Sequence, residues 1–397
     1  GVEPGAGAMR IVITGASGFV ASELVPRLRA RGADLLLVGR DPEALARRFP
    51  GHRCIGYDAL PEKGAGADLL LHLAVLNSDR EGRLEDFERV NVAFAQEVFA
   101  AARKAGIARF VYPSSIQAAE PRAVTPYAQS KRRAEAALCA ENDGRLLILR
   151  LPLVHGSRYT GKLAVLNRLP RGLARLAFPV FASLKPTLHA GKLADFLTGA
   201  APEAGDGTVT LTDGQADNAV YKTVKRGGDL LFALAVLVFL WWALLGIWGA
   251  IRLGSPGPGI FAQTRIGRGE RPFTCYKFRT MKTGTVQAGT HEVSAAAVTP
   301  TGAFLRRTKL DELPQVWNIL RGEISLIGPR PCLPVQTGLI EARRRRGVFE
   351  VLPGISGLAQ VDGIDMSDPE RLARRDAEYV ALQSLLLDIR LMVATAT

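Results

Sequence analysis

Two adjacent carboxylates, Asp311 and Glu312, lie in the stretch Phe304-Leu305-Arg306-Arg307-Thr308-Lys309-Leu310-Asp311-Glu312-Leu313-Pro314-Gln315-Val316-Trp317-Asn318, inside a cluster of cations. Neighbouring acids on a helix point in different directions, so the two would hold separate jobs. One can attack phosphorus while the other holds a divalent metal, with arginine and lysine neutralising phosphate oxygens. Taken alone, Asp-Glu more often caps a helix. A second constellation lies earlier in the chain. Ser115 closes a stretch that begins as a strand at Arg109, and Tyr127 and Lys131 stand one helical turn apart on one face. A phenol held beside an ammonium can serve as general acid or base for a carbinol or ketone, and a hydroxyl can hold the substrate oxygen. A tyrosine and a lysine at that spacing are usually just a solvated helix face, so the surrounding elements must decide.

Those elements alternate. Arg10 to Thr14 is a short apolar strand, followed at once by Gly15-Ala16-Ser17-Gly18-Phe19-Val20-Ala21 and an amphipathic helix to about Arg31. Glycines in such a turn let the backbone approach a pyrophosphate, and the helix N-terminus offers it unpaired N–H groups. Strands over Leu35 to Val38, Cys54 to Tyr57, Asp68 to Leu73 and Arg109 to Tyr112 alternate with helices near Glu43 to Phe49 and Phe87 to Lys104. This alternation predicts a doubly wound parallel sheet of Rossmann-like α/β architecture. Thr208 to Leu211 and the Gly/Asp/Thr-rich stretch to Asn218 close that domain.

Leu230 to Ile251, LLFALAVLVFLWWALLGIWGAI, carries no charged side chain. A straight helix of that length measures roughly 33 Å, close to the hydrocarbon thickness of a bilayer. Globular helices usually keep a polar face, and this run has none, so it reads as a membrane segment rather than a core helix. Lys222, Lys225 and Arg226 precede it and Arg252 follows, so positive charge alone selects no orientation.

With 397 residues and 47% hydrophobic content, the chain is long enough for a core on either side of that run. Its net charge is +13, and from Tyr221 onward 23 Lys plus Arg face 15 Asp plus Glu. That balance suits anionic lipid and phosphate-bearing substrates. No helix-turn-helix, zinc-finger or RNA-binding pattern appears, which argues against nucleic acid. Cys54, Cys139, Cys275 and Cys332 match neither disulfide nor metal-ligand spacing and suit a reducing compartment. Gly1 to Ala8 has no apolar core segment and reads as a leader or cloning remnant.

The glycine turn, His72-Leu73-Ala74, Asn91-Val92, Ser115 and the Tyr-x-x-x-Lys at 127 and 131 occur in an order that resembles the extended short-chain dehydrogenase/reductase family of sugar-nucleotide epimerases, dehydratases and reductases. The resemblance covers about Met9 to Asp217. It implies a nicotinamide cofactor lined by Gly15, Ser17, Gly18, Phe19, Arg40, Asp58 and Lys131, with Ser115, Tyr127 and Lys131 catalytic. Arg40 stands where an acidic residue would mark a bare ribose hydroxyl, which favours NADP over NAD. Ala21 replaces the last glycine of the turn, the Ser115 to Tyr127 connection is short, and the substrate-binding end is abbreviated.

Lys225-Arg226…Asp229, Ser255-Pro256-Gly257-Pro258, Tyr276-Lys277-Phe278-Arg279-Thr280-Met281, Leu310-Asp311-Glu312-Leu313-Pro314-Gln315, Leu326-Ile327-Gly328-Pro329-Arg330-Pro331 and Pro353-Gly354-Ile355-Ser356-Gly357 follow the order of the bacterial sugar transferases, the monotopic phosphoglycosyl transferases. By that resemblance Asp311 is the nucleophile, Glu312 helps hold Mg²⁺, and Lys277, Arg279, Arg306 and Arg330 meet phosphate or substrate. Asp311 would displace UMP from a UDP-sugar, and a polyprenyl (undecaprenyl) phosphate would take up the phosphosugar. The family's helix-breaking Ser-Pro falls here on Trp241-Trp242, leaving Gly246 and Gly249 as the residues that permit a bend. The Arg343 to Arg346 run reads as a solvated helix face.

The expected organisation is therefore a leader (1–8), a dinucleotide-binding domain (9–217), a linker and re-entrant membrane helix (218–254), and a small mixed α/β catalytic domain (255–397). It implies a two-enzyme fusion on the cytoplasmic face of a bacterial inner membrane, partnered by UDP-sugar, polyprenyl phosphate and the bilayer, with an oligomer left open. The favoured first step is an NADP-dependent 4-keto reduction. A 4-epimerase, or a non-catalytic sugar-nucleotide-binding module that regulates the transferase, is the alternative.

Overall fold

The computed structural model describes residues 8–76, 83–120, 123–202, 207–284 and 297–396, so the leader lies almost wholly outside the described residues. The chain divides into two compact units, Gly1–Phe178 with Pro186–Asp213 and Pro179–Lys185 with Gly214–Thr397.

The first unit contains strands β1 (Arg10–Thr14), β2 (Asp34–Val38), β3 (Arg53–Ile55), β4 (Leu69–His72), β5 (Arg109–Ser115), β6 (Leu146–Leu151), β7 (Leu153–His155), β8 (Thr187–His189) and β9 (Gly207–Thr210). Seven of them form one sheet in the order β3-β2-β1-β4-β5-β6-β9, with every pairing parallel. Helices α1 (Phe19–Ala30), α2 (Pro42–Arg48), α3 (Leu60–Lys63), α4 (Leu84–Glu88), α5 (Phe94–Lys104), α6 (Pro126–Ala140), α7 (Arg171–Leu184) and α8 (Ala190–Thr198) accompany it, α7 ending in the segment counted with the second unit. Two apolar clusters lie on the sheet, one built on Ile11, Ile13, Leu69 and Leu71 and the other on Val12, Leu36, Leu70 and Phe110. Burial on both faces explains why the strands read as continuous apolar runs rather than alternating ones.

The helix expected over Phe87 to Lys104 is not continuous. A π-helical turn over Arg89–Ala93 separates α4 from α5. Asn91 sits at its centre, fully buried, accepting from Leu76 N at 2.8 Å and donating to Ser130 Oγ at 3.0 Å. A widened turn of this kind turns a polar side chain inward at the cost of helix regularity. β5 runs on through Pro113 to Ser115, which leaves Ser115 at the strand's C-terminal end.

The second unit begins with α9 (Ala219–Phe239) and α10 (Trp241–Gly254), continues through the antiparallel pair β10 (Ile260–Ile266) and β11 (Pro272–Phe278), and then α11 (Pro300–Thr308) and α12 (Val316–Arg321). β12 (Ser325–Ile327) and β13 (Gly354–Ser356) are parallel and flank α13 (Thr337–Arg344), and α14 (Leu358–Val361), α15 (Pro369–Leu382) and α16 (Leu385–Ala396) complete the chain. Among the described residues no single helix is long and apolar enough to cross a membrane, but α9 and α10 together pass that test and are bent by 69°.

The bend lies at Leu240, ahead of both Gly246 and Gly249, and α10 runs through those glycines. Trp242 contributes to it. Its indole Nε1–H donates to the Phe239 carbonyl at 2.9 Å, meeting an acceptor at the end of α9. A tryptophan can thus serve a break that contains no proline. α9 also starts well before the apolar run, and its first turns face protein. Lys225 Nζ reaches Asp388 Oδ2 at 2.8 Å, and Arg226 donates to the carbonyls of Ile319 and Leu320. These two cations are therefore committed to the fold, leaving Lys222 exposed at the head of the helix.

Candidate active sites

In the first unit the sheet order reverses between β1 and β4, where the C-terminal ends of parallel strands leave a crevice for a ligand. Gly15 adopts φ +66°, and a Cβ there would stand 2.4 Å from Ala74 N, so only glycine lets the turn after β1 lie against the segment after β4. Its N–H points to both Val38 O at 3.1 Å and Tyr57 Oη at 3.2 Å. Gly18 caps α1, Phe19 is the helix's first residue, and exposed Ser17 accepts from Arg48 through its carbonyl at 2.6 Å. Arg40 and Asp58, both exposed, follow β2 and β3 directly. Gly15, Gly18, Arg40 and Asp58 thus stand just beyond the C-terminal ends of three adjacent strands, β1, β2 and β3.

Ser115 Oγ accepts from Gln117 N at 3.2 Å, capping a 3₁₀ turn. α6 starts on Thr125, whose hydroxyl accepts from Ala128 N, and Pro126 takes the first helical position. Tyr127 is half-buried, with its ring edge-on to Phe87 at 6.5 Å. Lys131 is fully buried. Its Nζ donates to Pro113 O at 2.7 Å and to Tyr112 Oη at 3.3 Å, tying α6 to β5. Burial pushes the Lys131 ammonium down to about 7, opposed by the Glu135 carboxylate. Burial also lowers His72, to about 3, with the Lys131 charge adding to it. His72 Nδ1 shares a proton with Thr14 Oγ1 at 2.8 Å, while its Nε2 is buried with no hydrogen-bond partner. Tyr112 and Tyr57 carry no signal in the sequence, since a core aromatic and a positioning one look alike there, and His72 is marked only by its place in the order of motifs.

In the second unit Asp311 and Glu312 occupy a 3₁₀ turn, Leu310–Gln315, entered through Lys309 at φ +57°. Glu312 Oε1 receives Lys277 Nζ at 2.5 Å and faces an Arg330 nitrogen at 3.8 Å. Burial pushes the Glu312 carboxyl up, but Lys277 and Arg330 outweigh it and hold the group below the ordinary glutamate value. Asp311 goes the other way. Burial raises its carboxyl and the neighbouring Glu312 charge raises it further, against Lys277 and Arg306. Two adjacent acids are thereby set apart, one ionised in a cationic seat and one with its basicity increased.

Arg306 Nε donates to Thr280 Oγ1 at 2.9 Å, and its charge acts to lower Asp311. Arg330 follows β12, where Gly328 and Gly354 let two backbone segments touch: a Cβ on Gly354 would meet Gly328 N at 2.1 Å. Arg279 is different. Its guanidinium donates to the carbonyls of Ser255 at 2.7 Å and Pro256 at 2.5 Å, so it ties the end of α10 to β11. The Arg343 to Arg346 run is a solvated face at Arg344 and Arg345, which are exposed, but not at Arg343. Arg343 is 2% exposed, pairs with Asp376 at 2.7 Å, and donates to the Arg330 carbonyl at 2.8 Å, bracing the backbone that carries Arg330. Arg265, beside the same cleft, donates to Pro331 O at 3.1 Å. Among the described residues no cluster of three or more His, Cys, Asp or Glu side chains stands ready for a metal.

Lys277→Met should raise the titration of both carboxyls, because the lysine lowers Glu312 and Asp311 alike. Carboxyl-carbon NMR across pH should find both midpoints moved upward, and an unmoved Asp311 would break the coupling. The depressed Glu312 contributes stability that is complete above the unfolded glutamate value and lost as pH falls through its lowered one. The variant should therefore lose stability at neutral pH and change little once pH has fallen below the lowered Glu312 value.

Family models match both halves: bacterial sugar transferase over residues 220–397 and the NAD dependent epimerase/dehydratase family over residues 11–187. A UDP-glucose:undecaprenyl-phosphate glucose-1-phosphate transferase of Xanthomonas campestris pv. campestris is 37% identical, over 47% of this chain and 41% of that protein. A UDP-N-acetylgalactosamine-undecaprenyl-phosphate N-acetylgalactosaminephosphotransferase of Aeromonas hydrophila is also 37% identical, over 44% and 43%. The chain thus spans about two fifths of the length of these relatives. The uncharacterized sugar transferase EpsL of Bacillus subtilis (strain 168) is 36% identical over 43% of this chain and 85% of its own length. Among solved structures, the UDP-N-acetylglucosamine 4-epimerase of Bacillus cereus aligns over 57% of this chain and 85% of its own, at 19% identity and a TM-score of 0.41.

Proposed function

Since the chain belongs to the bacterial sugar transferase family, with an NAD dependent epimerase/dehydratase domain ahead of the transferase region, we propose that it is a bifunctional enzyme of a bacterial inner membrane. Its second unit transfers a sugar 1-phosphate from a UDP-sugar to a polyprenyl phosphate, and its first unit reduces or epimerises the UDP-sugar. The observation that carries the transfer is the divergent pair, a raised Asp311 beside a Glu312 held ionised by Lys277 and Arg330. The ionised Asp311 carboxylate attacks the phosphorus that bears the sugar; an Asp–O–P bond forms as the bond to UMP breaks, and the electron pair leaves with UMP. An oxygen of the polyprenyl phosphate then attacks the same phosphorus and frees the carboxylate, giving a polyprenyl diphosphate sugar. Lys277, Arg306 and Arg330 neutralise phosphate oxygens in both steps.

Glu312 would hold Mg²⁺, an ion that keeps several waters and takes only one or two carboxylates. Bound there, the ion would supply charge neutralisation at the diphosphate. In the first unit Tyr127 moves the proton at the carbinol or ketone oxygen, Ser115 holds that oxygen, and Lys131 supports the tyrosine and the cofactor ribose. A nicotinamide supplies or accepts the hydride when bound. Exposed Arg40 supports NADP and hence a 4-keto reductase. The family match supports the second reading, an NAD-linked 4-epimerase. The intact Ser115, Tyr127 and Lys131 speak against a non-catalytic module.

We read α9 and α10 as re-entrant, with both ends on the cytoplasmic face, where nucleotide sugar and nicotinamide are available. The 69° bend supports this. UMP release measured across a panel of UDP-sugars with polyprenyl phosphate, with and without NADPH, tests the whole assignment. A chain that releases no UMP from any of them would overturn it. Arg40→Glu should weaken NADPH by about 10- to 100-fold, the loss of a charge-assisted contact, and leave NADH nearly unchanged. A wild type that prefers NADH would shift the reading to the epimerase.

A further inference from the structure

The cleft beside Glu312 is lined by two polar side chains that the proposed transfer leaves idle, Gln315 and Arg265. Gln315 closes the 3₁₀ turn that carries the two acids, and only 3% of it is exposed. Among the described residues its side-chain amide has no hydrogen-bond partner. An enclosed amide without a partner is costly to the fold, and this one faces a cleft rather than packed protein. Side chains three apart in a 3₁₀ turn eclipse one another, which sets Gln315 on the same face as Glu312, while Asp311, one residue earlier, points about a third of a turn away.

Arg265 enters the cleft from β10. Its guanidinium donates to Pro331 O at 3.1 Å and to Gln263 Oε1 at 2.7 Å, which holds it beside Arg330 and leaves further N–H groups to spare. Burial acts against its charge and the Arg330 guanidinium adds to that, with Glu312 opposing. Arg265, Lys277 and Arg330 thus set three cations against the one carboxylate that lines the cleft, Glu312. A phosphate would supply the missing negative charge. In displacement at phosphorus the attacking and leaving oxygens lie roughly in line on opposite sides of the phosphorus. A phosphorus reached by Asp311 therefore sends its leaving group away from Asp311, and the cleft on the Glu312 face is walled by Glu312 and Gln315 and not by Asp311.

We propose that this cleft is the leaving-group pocket of the transfer, in which Arg265 and the Gln315 amide bind the phosphate of the departing UMP. This rests on the sugar-phosphate transfer reading of the second unit. As the bond between the sugar-bearing phosphorus and the bridging oxygen breaks, its electron pair passes to that oxygen, and the growing charge falls on the UMP phosphate that Arg265 neutralises. Gln315 Nε2 donates to a second oxygen of the same phosphate and fixes its orientation, a hydrogen bond that its place beside Glu312 leaves it free to make.

Calorimetric titration of the full-length protein in detergent micelles with UMP, and separately with glucose 1-phosphate, tests this. Gln315→Met, which keeps the bulk and removes the amide, should weaken UMP binding about 10-fold, and Arg265→Met about 100-fold, the loss of a charge-assisted bond. Glucose 1-phosphate should change by less than about twofold in either variant. Should Arg265→Met lose its thermal unfolding transition, Arg265→Lys, which keeps the charge without the planar fork, replaces it with an expected weakening of about 10-fold. Variants that bind UMP as tightly as a wild type that binds and releases it overturn the proposal and leave the transfer reading standing, as does a wild type that releases UMP without binding it. Weakened glucose 1-phosphate with unchanged UMP puts both residues on the sugar side and also overturns it. A wild type that neither binds nor releases UMP rejects the pocket and the transfer reading together.

Discussion

Asp311→Asn should abolish UMP release, lowering the rate by at least roughly 10³-fold, because an amide cannot attack phosphorus and nothing beside it can take over. Glu312 is the nearest carboxylate, but Lys277 and Arg330 hold it ionised and engaged, so it is a poor substitute. The substitution is nearly isosteric, and removing a carboxyl whose titration burial has raised relieves a strained charge rather than opening a cavity. Folding should survive. Mass spectrometry of wild type incubated with a UDP-sugar and no lipid acceptor should find a phosphosugar on Asp311, and a fully active Asp311→Asn enzyme would exclude the covalent route.

Tyr127→Phe should remove the redox step of the first unit by about 10²- to 10⁴-fold, the usual worth of a positioned proton-transfer group. UMP release from a sugar nucleotide that needs no modification should be unaffected, because the substitution lies in a separate compact unit. Both rates are read in one preparation, by nicotinamide absorbance and by UMP. Retained cofactor turnover in Tyr127→Phe would remove Tyr127 from the chemistry, whereas a fall in both rates would point to damage to the fold.

How much of this was legible beforehand differs between the halves for physical reasons. The first sheet was readable because strands buried on both faces become unbroken apolar runs, and Gly15 stands where only glycine fits. The π turn was not readable, because a buried asparagine inside a helical pattern resembles a surface one until its partners, Leu76 and Ser130, are known. In the second half Asp311, Glu312, Lys277 and Arg330 stood out by their order along the chain, and the structure gathers Lys277 and Arg330 around Glu312. Arginine was the hardest residue to read. Arg279 and Arg343 have the same composition signal as Arg306 and Arg330, but their guanidinia go to backbone carbonyls and a buried aspartate. Nor could the run from Leu230 to Ile251 announce its break at Leu240, since the sequence offers a tryptophan indole where a proline is expected.

Lys309 holds a left-handed backbone, φ +57°, at the junction between α11 and the turn that carries Asp311. A residue with a side chain gives up about 1 kcal/mol there relative to glycine. Glycine would relax the fold, but it would also remove a cation that helps keep Glu312 ionised and would let the junction wander among many conformers before substrate arrives. The lysine therefore trades global stability for a nucleophile whose position is settled in advance. A chain selected only for heat resistance would be expected to surrender that residue first and lose turnover with it.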